Sequence, residues 1–145
     1  MINRSVPVDT VLPHVFYQDL AEAIPWLTET FGFVENYRYA GPDGTMSGAQ
    51  MHLGDAWIMV SSARPGRSSP KQVGCGTQML TIFVPDVESH YRQTKAAGAT
   101  IVEELNETVY GERQYGVEDL DGHRWLFSQH ARDVDPRDWG ATIAR

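Results

Sequence analysis

Apolar residues recur along this chain in two rhythms, one of period two and one near the period of a helix. Val11 to Tyr17 is apolar on both faces, as expected of a strand covered on both sides. Asp19 then reads as a helix cap, with Glu22 three residues on completing a capping-box pattern. Ile24, Leu27 and Phe31 share one helical face, and Gly32 is placed to stop the helix. Pro25 interrupts this stretch. Proline suits only the first turn, so the helix is expected to start late or to bend. Three strands follow, at about Val34–Tyr39, Met46–Leu53 and Ala56–Ser61, turned by Gly41-Pro42-Asp43-Gly44 and by Gly54-Asp55. Residues 63–77 have no periodicity and much Gly, Ser and Pro, which predicts a linker or a lid.

The same order then begins again. Met79–Val84 is a strand, Asp86 a cap, Val87, Tyr91 and Thr94 a helical stripe, and Gly98 a stop. Strands are expected near Thr100–Leu105, Arg113–Glu118 and Arg124–Gln129, with Asp121-Gly122 turning the last hairpin. Asp19 lies 67 residues before Asp86, Gly32 lies 66 before Gly98, and Trp57 lies 68 before Trp125. A cap, a stop and an aromatic that keep nearly one period mark an internal repeat. The fold class predicted is α+β: two tandem βαβββ modules, at about 8–62 and 78–130, whose strands form a curved, cleft-lining mixed sheet in a single domain. The linker is 63–77 and a tail runs over 131–145. Asp135-Pro136 in that tail is a helix-start signal, and Trp139 is expected to pack back on the domain or on a partner.

Composition narrows the function classes. The 145 residues carry twelve basic and nineteen acidic side chains, a formal net charge of −7. The cations are scattered apart from Arg64, Arg67 and Lys71, so no phosphate-tracking surface, and hence no nucleic-acid partner, is expected. No apolar run reaches membrane-spanning length. The single Cys75 forms no intrachain disulfide and fits a reducing, cytoplasmic location as an inert loop residue.

Phe31-Gly32-Phe33 and Ala97-Gly98-Ala99 close the two helices. Tyr110-Gly111-Glu112-Arg113-Gln114-Tyr115 leads into Asp119-Leu120-Asp121-Gly122-His123-Arg124-Trp125, and Arg38 to Gly44 makes a similar stretch in the first half. In these runs and their order the chain resembles the vicinal oxygen chelate superfamily of glyoxalases, bleomycin-resistance proteins and extradiol dioxygenases, from about Val11 to Gln129. The resemblance implies a concave sheet that, in metal enzymes, carries four His, Gln or Glu ligands. It also implies homodimers in which antibiotic-sequestering members hold a ligand between concave surfaces.

Strand alternation tests that ligand set. Leu80, Ile82 and Val84 form the stronger apolar face and should meet the helices, which leaves Met79, Thr81 and Phe83 concave. The repeat makes Leu12, His14 and Phe16 their counterparts. The family's ligand positions are Leu12 and Met79, seven residues before each capping Asp, and Leu126 with its counterpart Ile58 at the 68-residue offset. None of these four side chains binds a divalent cation usefully, so no metal and no other cofactor is expected.

The remaining polar groups leave alternatives open. His14 is either a hydrogen-bonded wall residue or a ligand-contacting, acid–base catalytic candidate. His52 and His123 flank turns, His90 lies on an exposed helix face and His130 starts the tail. A displaced metal site from His14, His52 and a carboxylate is the alternative to none. Arg113 and Tyr115 share a face, concave or helix-side. Trp57 and Trp125, out of phase with Ile58 and Leu126, should be core. The expected function is metal-independent binding of a small apolar or aromatic molecule by Leu12, His14, Phe16, Ile58, Met79, Thr81, Phe83, Arg113, Tyr115, Arg124 and Leu126. The alternative is a glyoxalase-like lyase, isomerase or dioxygenase.

Overall fold

Two aspartates start the two long helices. The computed structural model describes residues 3–6 and 11–144; residues 8–10 of the first module and Arg145 of the tail lie outside the described residues. The chain runs β1 (His14–Tyr17), α1 (Leu20–Phe31), β2 (Val34–Ala40), β3 (Met46–Leu53), β4 (Ala56–Ser62), α2 (Pro70–Val73), β5 (Met79–Phe83), α3 (Val87–Ala96), β6 (Thr100–Glu107), β7 (Glu112–Glu118) and β8 (Arg124–His130), then a 3-10 turn at Pro136–Trp139. The Asp19 carboxylate accepts the Glu22 amide hydrogen (3.2 Å), and that of Asp86 accepts the Ser89 amide hydrogen (3.1 Å). Gly32 at φ 87° and Gly98 at φ 85° take the left-handed conformation that ends each helix.

Some expectations change. The first strand begins at His14 rather than Val11, because Pro13 has no N–H for the ladder and can only accept, from the Met59 amide (2.9 Å). Helix α1 does not start late: it runs from Leu20 through Pro25 to Phe31. Ala21, whose carbonyl loses its donor there, and Pro25 itself are both exposed, so water can take the bond. The 63–77 segment is not structureless: it holds α2, where the Gln72 side-chain oxygen accepts the Ser69 amide hydrogen (2.8 Å). As the two-module reading expects, the eight strands make a four-stranded mixed sheet in each module, in the orders β1-β4-β3-β2 and β5-β8-β7-β6.

The chain divides into two compact units. The first runs to Thr77 and includes the turn Leu120–His123; the second comprises Gln78–Asp119 and the chain from Arg124 on. In the first, α1 buries Leu20, Ala23, Ile24, Leu27 and Phe31 against a sheet face of Val15, Tyr17, Ala49, Met51, Ile58 and Val60. In the second, α3 buries Val87 and Thr94 on a face of Ile82, Tyr115, Val117, Trp125 and Phe127. The Trp125 indole N–H donates to buried Asp119 (3.0 Å). Trp139, 41% exposed, lies edge-on to the Tyr110 ring at 5.9 Å.

The turn at 120–123 is held by buried polar groups. The Asp121 carboxylate accepts the Gln18 amide hydrogen (2.6 Å) and its backbone oxygen accepts the Lys71 amide hydrogen (2.9 Å). His123 Nε2 donates to the Phe16 carbonyl (2.7 Å), with its ring 5.0 Å from that of Tyr17. Asp121→Ala should therefore lower the unfolding free energy in urea by about 1–3 kcal/mol, the cost of stranding a buried donor. An unchanged urea midpoint would show that the turn is held without this carboxylate.

Candidate functional site

Ladder register fixes which side chains share a sheet face, because residues directly opposite one another point the same way. In the first unit His14 pairs with Met59 and Phe16 with Ser61; Met59 in turn pairs with Gln50, Trp57 with His52, and Gly48 with Ser61. These residues form the face away from α1, the far face, joined from β2 by Tyr37 and Tyr39. In the second unit Met79 pairs with Arg124, Thr81 with Leu126 and Phe83 with Ser128, and this is the face away from α3.

Most of the expected site residues lie on these faces. His14 is exposed, Phe16 half-buried, Thr81 exposed, and Met79 and Phe83 are 52% and 61% exposed. Leu126 is nearly buried beside Gly116, where a Cβ would come within 3.4 Å of it. Arg124 is on the far face but ion-paired with Glu118 (2.9 Å). Leu12 is half-buried and precedes β1.

The assignments of Ile58, Trp57, Arg113, Tyr115 and His90 are corrected. Ile58, expected to line the cleft, is 1% exposed and shares the helix-side face with Met51 and Val60. Its place is taken by Met59, which is 67 residues before Leu126, the period shared by the capping aspartates. Trp57 is accordingly not core; it lies on the far face stacked on His52, centroids 4.3 Å apart. Arg113 and Tyr115 are on the helix side. Arg113 reaches Glu88 of α3 (3.4 Å), and the wholly buried Tyr115 hydroxyl donates to Thr94 (2.8 Å) while meeting His90 Nδ1 at 2.6 Å. His90 is thus half-buried on the sheet, its ring 4.2 Å from that of Phe127, rather than on an exposed face.

Sequence reasoning missed four contributors to the first far face. Gln50, fully buried, donates from Nε2 to the Ser5 carbonyl (2.7 Å) and accepts from Asn36 (2.7 Å). The Tyr37 hydroxyl donates to the same Ser5 carbonyl (2.9 Å). Tyr39 lies over Gly48, where any Cβ would meet the ring within 2.3 Å. Arg64 lies over the Phe16 ring at 6.0 Å. The even spacing of Tyr37 and Tyr39 was the available signal.

The family's metal positions do not fit a divalent cation. They are Leu12, Met59, Met79 and Leu126, two alkyl groups with no donor atom and two thioethers that are weak, soft donors. Among the described residues no three His, Cys, Asp or Glu side chains come together to hold a metal ion. His14 and His52 sit two strands apart, roughly 10 Å by strand spacing, and among the described residues no carboxylate joins them to complete the displaced site. No described residue hydrogen-bonds the His14 imidazole. Among the described residues, no helix is long and apolar enough to cross a membrane.

Fold and face define a glyoxalase-like protein, and the comparisons agree. Residues 8–127 match the glyoxalase family, described as the Glyoxalase/Bleomycin resistance protein/Dioxygenase superfamily, and the chain belongs to it. An uncharacterized protein of Mycobacterium bovis is 31% identical over 128 residues, 85% of this chain and 84% of the relative. The crystal structure of TioX from Micromonospora sp. ML1 is similar, with TM-score 0.69 and 31% identity over 88% of this chain and all of that one. A glyoxalase/bleomycin resistance protein/dioxygenase from Alicyclobacillus acidocaldarius, at 16% identity and TM-score 0.66, covering 91% of this chain and 96% of its own, shares the fold.

Burial holds the Tyr115 phenol well above its ordinary ionisation range, offset in part by the bond to Thr94. A raised acid pKa favours the neutral, folded form, so stability is intact below about pH 10 and falls above it, by up to about 1.4 kcal/mol per pH unit. Urea midpoints measured on either side of that pH should fall less steeply in Tyr115→Phe than in the parent. Equal slopes would mean the phenol ionises freely in the folded protein.

Proposed function

We propose that this chain binds a small, largely apolar or aromatic molecule on the far face of its sheets, without the metal its family's enzymes use. The observation that carries this reading is the replacement of all four ligand positions by Leu12, Met59, Met79 and Leu126 on faces that also display Phe16, Met79 and Phe83. Such walls reward burial of apolar surface, by about 25 cal/mol per Å², and the thioethers adapt to irregular shapes. Polar groups on the same faces, among them His14, Thr81 and Ser61, would orient a ligand. Exposed Met79 and Phe83 on edge strand β5 further support assembly as a homodimer that covers them.

A thermal-shift screen of small aromatic and apolar compounds tests the binding reading. A hit at a hundredfold excess over Kd should stabilise by about 2.7 kcal/mol. A chelator should leave the melting temperature unchanged, and a chelator-induced loss above roughly 1 kcal/mol would overturn the metal-free part. Binding should also quench Trp57, which stands two residues from Met59 on the same face. His14→Ala should cost about 1 kcal/mol of stability or less while weakening a polar ligand by roughly 0.5–1.5 kcal/mol. Sedimentation at micromolar concentration should give a dimer; a monomer there would sink that part alone.

A further inference from the structure

Two arginines stand across from one another on the tight turn that follows β4. Arg64-Pro65-Gly66-Arg67 closes with backbone bonds in both directions, Arg64 N to Arg67 O at 3.0 Å and Arg67 N to Arg64 O at 2.8 Å. Pro65 presets the first corner, and Gly66 at φ 80° supplies the second, so the turn is stiff. Residues that exchange both bonds carry their side chains on the same side, which puts both arginines on one side of the turn, Arg67 donating from one N–H to the Gly66 carbonyl (2.9 Å). Like charges so placed repel. Among the described residues, no carboxylate lies within ion-pair distance of either. An anion between them would convert that repulsion into a clamp.

The pair is tied to the far face through Arg64, whose guanidinium lies over the Phe16 ring at 6.0 Å. A guanidinium resting on an aromatic ring keeps its in-plane N–H groups for an anion. Arg64 also borders a surface cavity of about 470 Å³ together with Met46, Ser47, Ser62 and Asp43. The Asp43 carboxylate there is already engaged, accepting the Thr45 amide and hydroxyl hydrogens at 3.0 and 2.7 Å.

We propose that the molecule taken by the first unit is an anion: a carboxylate or phosphate bound between Arg64 and Arg67, with its apolar body over Phe16. This rests on the binding reading above and adds the chemical class. The net charge of −7 alone would have favoured a cation.

Matched probes on the full chain decide it: phenyl, naphthyl and indolyl bodies, each as carboxylate, phosphate ester, neutral amide and amine, titrated by calorimetry. For at least one body an anionic form should bind about tenfold or more tighter than the amide, and added salt should erode that advantage. The carboxylate and phosphate arms show which anion is preferred. In the Arg64→Gln, Arg67→Gln double variant the ratio of anion to amide affinity should fall to about one, whatever the amide's own affinity becomes. Should that variant melt early, Arg64→Lys and Arg67→Lys serve instead: each keeps the charge, loses the planar fork and should lose part of the advantage. Amides or amines that bind as well as the acids, or an acid preference that survives in the variants, overturn the anion clamp and leave the binding reading standing. No binding by any probe at millimolar concentration overturns both.

Discussion

A sheet has two faces, and each unit of this protein has one long helix to cover them. Period-two alternation then assigns every strand residue to one side. In the first unit Val15, Tyr17, Ile58 and Val60 lie under α1. Slipping β1 and β4 by one residue would expose all four, at about 1.5–3 kcal/mol each, against a total stability of about 5–15 kcal/mol for a domain. The register is therefore fixed by the core. Whatever falls on the other face is free to serve function, because packing against the helix does not constrain it.

That constraint explains what could be read in advance. Helix starts at Asp19 and Asp86, stops at Gly32 and Gly98, and most strand extents depend on local chemistry, and they were legible. So was the face of β5, where Ile82 and Val84 are buried and Met79, Thr81 and Phe83 are not. Strand β4 was opaque for a physical reason: Ile58, Met59, Val60 and Ser61 are all buried, so alternation gives no signal. The tryptophan spacing then misled. The β3–β4 turn has two residues between its strands, Gly54 and Asp55, whereas the β7–β8 turn runs from Asp119 to His123. Trp57 and Trp125 match in type but occupy opposite faces. Arg113 and Tyr115 were ambiguous because their fate depends on α3, through Glu88 and Thr94.

The far faces then differ from those of a metal enzyme in their energetics. A divalent cation must exchange strongly held water for donors of comparable strength, and alkyl and thioether groups offer none. The same groups gain from every apolar contact that removes them from water. The side chains that disqualify Leu12, Met59, Met79 and Leu126 as ligands are thus the ones that suit an apolar guest.

Net charge does not decide what sign that guest carries. Fields between exposed charges fade over about 8 Å at physiological salt, so a ligand on the first far face feels its immediate neighbours rather than the sum of −7. Those neighbours are Arg64, over Phe16, and Arg67 across a two-residue turn. The nearest carboxylate of the cavity, Asp43, already accepts two hydrogens from Thr45, and these bonds hold its carboxyl below the usual carboxylate range. It stays ionised but hydrogen-bonded in its own turn, whereas neither guanidinium is paired with a carboxylate among the described residues, Arg67 donating from one N–H to the Gly66 carbonyl (2.9 Å). A stiff turn keeps both side chains on one side, where a single anion would accept charge-assisted hydrogen bonds from both.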